Sequence, residues 1–98
     1  MKISKPAMSG TLESSDVQVT IEPMDSGLEI QISSDVINQY GRQIKALVLK
    51  TLESLGVESA KVTLIDKGAL DCTIIARTEC AVYRASDFKG DIPWGCNA

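Results

Sequence analysis

The sequence contains no histidine. It therefore lacks the side chain most often used as a general base near neutral pH and a major metal ligand, so hydrolase, triad and metalloenzyme readings are hard to build. Cysteine is scarce: Cys72, Cys80 and Cys96 are odd in number and form no Cys-x-x-Cys pair, which suggests neither a disulfide framework nor a zinc site. They are expected to be reduced thiols. Long apolar runs are also missing. Stretches such as Ala46-Leu47-Val48-Leu49 fall far short of the roughly 20 residues that cross a bilayer. The opening Met1-Lys2-Ile3-Ser4-Lys5 has no apolar centre of the kind a signal peptide needs, so a cytoplasmic protein without membrane contact is expected. Lysines and arginines are scattered and outnumbered, 10 against 13 acidic residues, giving a net charge of −3. No electrostatic footprint for nucleic acid follows, whereas an acidic surface suits basic protein partners.

What is present fits one folded domain. Hydrophobic residues make up 44% and charged residues 23% of 98 residues, enough to bury one modest core. Val17, Val19 and Ile21 alternate with Gln18, Thr20 and Glu22, and Leu28, Ile30 and Ile32 alternate with Glu29 and Gln31, the period of half-buried strands. Pro23-Met24-Asp25-Ser26-Gly27 between them reads as a turn. Ala7 to Glu13 is a weaker strand candidate, and Ser14-Ser15-Asp16 then forms a tight connection to Val17, leaving Ser14 at an exposed hairpin tip.

From Asp35 the apolar positions Val36, Ile37, Tyr40, Ile44, Leu47, Val48, Thr51 and Leu55 fall three or four apart, predicting an amphipathic helix capped by Ser34 or Asp35 and ended by Gly56. Lys61-Val62-Thr63-Leu64-Ile65 predicts a fourth strand, closed by the turn Asp66-Lys67-Gly68. Ala69 to Ser86 places Leu70, Ile74, Thr78, Ala81, Val82 and Ala85 at helical spacing, although Cys72-Thr73-Ile74-Ile75 could also extend a strand. Residues 87–98, with Gly90, Pro93, Trp94 and Gly95, read as an irregular tail. The expected class is α+β: a small four-stranded, mostly antiparallel sheet in the chain order β-β-β-α-β-α, with both helices on one face.

Periodicity and composition point to no active site. Asp66 and Asp71 have no third ligand or base beside them, and acids at a helix start are routine. Cys72 and Cys80 are expected to be small core residues of the second helix. Asp25-Ser26-Gly27-Leu28 imitates the Asp-Ser-Leu site of ordinary acyl carrier proteins, but Gly27 interrupts it and a strand follows, so Ser26 is read as a turn residue. Trp94 reads as closing a core edge or anchoring an interface.

Four segments nevertheless share a pattern with a known family: Met1-Lys2-Ile3, Gly10-Thr11-Leu12-Glu13-Ser14-Ser15-Asp16-Val17, Asp66-Lys67-Gly68-Ala69-Leu70-Asp71-Cys72 and Ile92-Pro93-Trp94. In order and spacing the chain resembles the citrate lyase acyl carrier protein family, the gamma subunit of that lyase. The resemblance implies a non-catalytic carrier, a phosphoprotein of citrate fermentation. Its cofactor is a phosphoribosyl-dephospho-coenzyme A (phosphoribosyl-dephospho-CoA) group joined by a phosphodiester to the serine of Gly-Thr-x-Glu-Ser, here Ser14. Ser15 is the neighbouring rival. No catalytic or metal residue is implied. The implied partners are the alpha subunit (citrate CoA-transferase), the beta subunit (citryl-carrier lyase) and the prosthetic-group transferase, with acetyl and citryl thioesters passing between subunits as citrate is cleaved to acetate and oxaloacetate. The same resemblance leaves room for a carrier of citramalate lyase or malonate decarboxylase. Composition alone also allows a protein-binding regulatory module.

Overall fold

Val17, Val19 and Ile21 are buried completely while Gln18 and Thr20 between them remain half-buried, in a computed structural model that describes residues 2–34 and 41–86. The expected helix start at 35–40, with Asp35 as one of its two expected caps, and the tail 87–98, with Trp94 and Cys96, lie outside the described residues, while Ser34, the other expected cap, is a strand residue. The strands are β1 (Ala7–Ser9), β2 (Val17–Glu22), β3 (Leu28–Ser34) and β4 (Ala60–Asp66); the helices are α1 (Gly41–Ser54) and α2 (Asp71–Ala85). This is the expected element order, and residues 72–75 belong to the helix rather than to a strand.

The sheet is mixed, in the order β1-β2-β4-β3. β1 with β2 and β2 with β4 are antiparallel, and β3 with β4 is parallel, so two of the three pairings follow the expected sense. The Pro23–Gly27 connection is not a hairpin turn: it carries the chain over the end of β4 to its far side, and Gly27 O accepts the Ala60 amide at 3.0 Å. Five residues can span the roughly 10 Å between strands two places apart.

Register puts Val19 opposite Leu64, and Ile21 and Ile30 on either side of Val62. These side chains meet Ile44, Val48 and Leu52 of α1 and Ile74, Ala81, Val82 and Ala85 of α2 in one core under both helices. Each fully buried Val, Leu or Ile contributes about 1.5–3 kcal/mol relative to exposure. The other sheet face carries Gln18, Thr20, Lys61 and Thr63 and is solvated, as antiparallel-rich sheets allow.

Helix ends are closed by backbone partners. Gly56, at φ +69, donates to Glu53 O at 3.0 Å, and Val57 N donates to Leu52 O at 3.0 Å, the paired bonds of a Schellman motif. At the end of α2, Ala85 O accepts the Ser4 and Lys5 amides while Ile3 bridges Ser86. The N-terminal segment thereby satisfies carbonyls the helix leaves open.

The Ser14 loop as candidate functional site

β1 ends at Ser9, so the strand expected over Ala7 to Glu13 is shorter and Gly10–Asp16 is a seven-residue loop rather than a tight connection. Its first residue explains the break. Gly10 has φ +89, and a Cβ there would sit 1.8 Å from Val17 O, so any side chain collides with the start of β2. Within the loop, Asp16 N donates to Glu13 O at 3.1 Å and closes a turn with Ser14 and Ser15 at its centre. Among the described residues Ser15 is the non-glycine one with positive φ, +66, while the Ser14 side chain is exposed.

The family-like segment that begins at Asp66 lies against this loop. The Ser15 amide donates to Lys67 O at 2.8 Å and the Lys67 amide to Asp16 O at 2.9 Å, continuing the β2–β4 ladder beyond Val17 and Asp66. Asp66, 2% exposed, accepts the amides of Gly68 (3.2 Å) and Ala69 (2.9 Å) on one carboxylate oxygen. That is the side-chain turn expected of Asp66-Lys67-Gly68, and Gly68 supplies φ +90. Asp71 is exposed in the first turn of α2, where a negative charge suits the helix dipole. Among the described residues no three of His, Cys, Asp and Glu are grouped to hold a metal ion.

Asp16 is the hub of the loop. Its carboxylate accepts Thr11 Oγ1 at 2.6 Å, its own neighbour's amide Val17 N at 2.8 Å, and Arg77 Nε and Nη2 at 3.2 Å each. Thr11 Oγ1 in turn accepts the Glu13 amide at 3.2 Å. Burial alone raises the Asp16 pKa, but the hydrogen bonds from Thr11, Val17 and Arg77 and the Arg77 charge outweigh it and hold the carboxyl below its ordinary value. Arg77 was not marked by motif or periodicity. It lies on α2 between the buried Ile74 and Thr78, and a sequence pattern does not reveal which loop such a shoulder position faces.

The remaining candidates separate. Ser26 is exposed in the β2–β3 connection, at the opposite end of β2 from Ser14. Cys80 is buried as expected, but Cys72 is exposed, because two residues before the buried Ile74 it falls on the opposite side of the helix. Leu70, expected on the buried helical face, is 71% exposed. It precedes the first helical turn with φ −73 and ψ 158, so helical periodicity does not govern where it points. Beside the Asp66 loop a pocket of about 190 Å³ is bordered by Ile44, Ile74 and Gly68, smaller than the roughly 300 Å³ at which small-molecule sites begin.

The fold and the site together define a small α+β domain that displays the Ser14–Ser15 turn at one end of its sheet. A family model described as ACP, malonate decarboxylase delta subunit (MdcD), matches residues 4–85. The chain is 56% identical over 89 residues to the citrate lyase acyl carrier protein of Lacticaseibacillus casei, covering 91% of this chain and 88% of that one. It is 53% identical over 95 residues to that of Vibrio cholerae serotype O1, covering 96% of each. A subunit in the crystal structure of a Pseudomonas malonate decarboxylase hetero-tetramer in complex with malonate shares the fold at a TM-score of 0.72, with 22% identity over 88% of this chain and 93% of that chain. The chain belongs to the citrate lyase acyl carrier protein family, and its role is that of a carrier.

Proposed function

We propose that this domain is the carrier subunit of a citrate lyase, with a phosphoribosyl-dephospho-coenzyme A group attached to Ser14 through a phosphodiester, and that the polypeptide itself catalyses nothing. The observation that carries this reading is the similarity of 53–56% over nearly the whole chain to carriers of that name.

The loop fits such a group. Its hydroxyl is exposed at a turn, the pocket of about 190 Å³ at the facing Asp66 loop is too small to house a nucleotide, and the turn's backbone is pinned on both sides. A group attached there extends into solvent and reaches partner sites as a tether, which raises local concentration without a binding pocket on the carrier. When bound, the group supplies a terminal thiol for acyl thioester chemistry. The chain's own residues supply presentation: Gly10 permits the loop's departure from β1, Asp66 shapes the facing turn, and the Ser15–Lys67 pair joins the two. Preference for Ser14 over Ser15 rests on that pair, because Ser15 is the residue tied to Lys67 in a left-handed conformation while Ser14 stands outside it. The partners proposed are the citrate CoA-transferase (alpha) and citryl-carrier lyase (beta) subunits and the prosthetic-group transferase.

A second reading, a malonate decarboxylase carrier, is favoured by the family description and the fold neighbour. Intact-mass analysis after co-expression with the arm-transferring enzyme tests both. The adduct is expected on wild type and Ser15→Ala and absent from Ser14→Ala; an adduct persisting in Ser14→Ala and mapped elsewhere overturns the site. Acyl groups recovered from the holo-protein distinguish acetyl or citryl from malonyl cargo.

A further inference from the structure

We infer that Arg77 is a positioning residue for the modification of Ser14, acting through Asp16. The inference rests on the carrier reading above.

Four of the side-chain hydrogen bonds that shape this loop meet at the Asp16 carboxylate, and a fifth, from Glu13 N to Thr11 Oγ1, joins them through Thr11. Thr11 and Val17 bind it from within the loop and its adjoining strand, whereas Arg77 reaches it from the middle of α2, whose neighbours Ile74 and Thr78 are buried in the core. The guanidinium therefore refers the turn holding Ser14 to the rigid body of the domain, and it does so at two points. Parallel contacts from Nε and Nη2 to the two carboxylate oxygens fix orientation as well as distance, which a single ammonium contact does not.

Stability alone does not account for the pair, although the Asp16 side chain is only 14% exposed. The Arg77 side chain is 40% exposed, and ion pairs that open to water contribute little to folding. What the pair does control is the approach of an enzyme to a hydroxyl two residues away. Modification forms a bond from Ser14 Oγ to phosphorus of a phosphoanhydride-activated nucleotide donor. The anhydride bond breaks, its phosphate portion leaves with the electron pair, and the hydroxyl proton passes to a base on the transferring enzyme. Such a displacement is sensitive to displacement of the nucleophile by an ångström.

The test compares full-length wild type, Arg77→Gln, Arg77→Lys and a control, Arg84→Gln, as acceptors for the arm-transferring enzyme, with initial rates read by intact mass. Arg84 lies on the same helix but tethers Met8 O at 2.9 Å, on β1. Both Arg77 variants are expected to lose about ten-fold or more in kcat, with KM for the carrier changed less than about two-fold, and Arg84→Gln to match wild type. Amide exchange should quicken at Ser14–Asp16 in both Arg77 variants while β2 and β4 keep their protection. Full rates in Arg77→Lys, or unchanged loop exchange in Arg77→Gln, overturn the inference; should Arg77→Gln not fold, Arg77→Lys decides by the same two readouts. Failure of wild type to acquire any adduct is a separate result that overturns the carrier reading and this inference with it.

Discussion

The amide of Ser15 and the carbonyl of Lys67 lie 2.8 Å apart, joining two loops whose bonded residues are 52 positions apart in the chain and drawing two of the four family-like segments to one end of the sheet. The loop chemistry and its consequences for stability can be tested through that junction.

Gly10 is where the loop leaves β1, and both its positive φ and the 1.8 Å approach to Val17 O forbid a side chain. Gly10→Ala is expected to lower stability by about 1–3 kcal/mol or more, measured as a shift in the urea midpoint at unchanged slope.

Ser15 occupies the left-handed region at φ +66, at a strain of order 1 kcal/mol for a residue with a Cβ. Ser15→Gly should hold stability or raise it slightly, and Ser15→Val should lower it by about 1 kcal/mol or more. Thermal and urea unfolding of the two variants give the comparison directly.

Asp16 has a folded pKa below its ordinary value. A depressed carboxyl contributes stability that is complete above the unfolded pKa, about 3.9, and is lost as pH falls through the folded value. The stability difference between wild type and Asp16→Asn should therefore be largest near neutrality and shrink as pH is lowered below about 4. Glu79, raised by burial, gains stability with falling pH and opposes this trend in both proteins, so the difference isolates Asp16.

Cys72 is exposed and Cys80 is 4% exposed. A thiol reagent should label Cys72 in the native protein at close to the rate of an unstructured thiol, and Cys80 only as fast as the domain opens, a contrast read by peptide mass mapping.

Leu70 stands at the N-cap of α2 without a side-chain hydrogen bond and 71% exposed, where Ser or Asp is preferred. Leu70→Ser should raise stability by about 0.5–1 kcal/mol. Urea unfolding of the variant beside wild type gives the comparison.

The alternations at Val17–Ile21, Leu28–Ile32 and Val62–Leu64 and the helical spacing from Ile44 to Leu55 were legible in the chain, because burial on one face imposes a period of two on a strand and 3.6 on a helix. Gly56 as a helix stop and Asp66-Lys67-Gly68 as a turn were equally plain, since positive φ and side-chain-to-backbone bonds act over a few residues. Ser14 could be singled out only through its family-like surroundings.

Local pattern had no hold on what distance decides. It does not say that β4 enters between β2 and β3, because pairing partners are chosen by the packing of the whole sheet. Nor does it mark the end of β1 at Ser9, which follows from the collision a side chain at Gly10 would make with Val17. Arg77 is the clearest case: a charged residue on a helix shoulder has many solvated orientations, and its grip on Asp16, 61 positions away, exists only once α2 lies across the sheet. The sequence by itself determined the order and type of the elements and singled out Ser14 as the expected attachment point; the tertiary structure alone decided which residues hold that serine's loop in place.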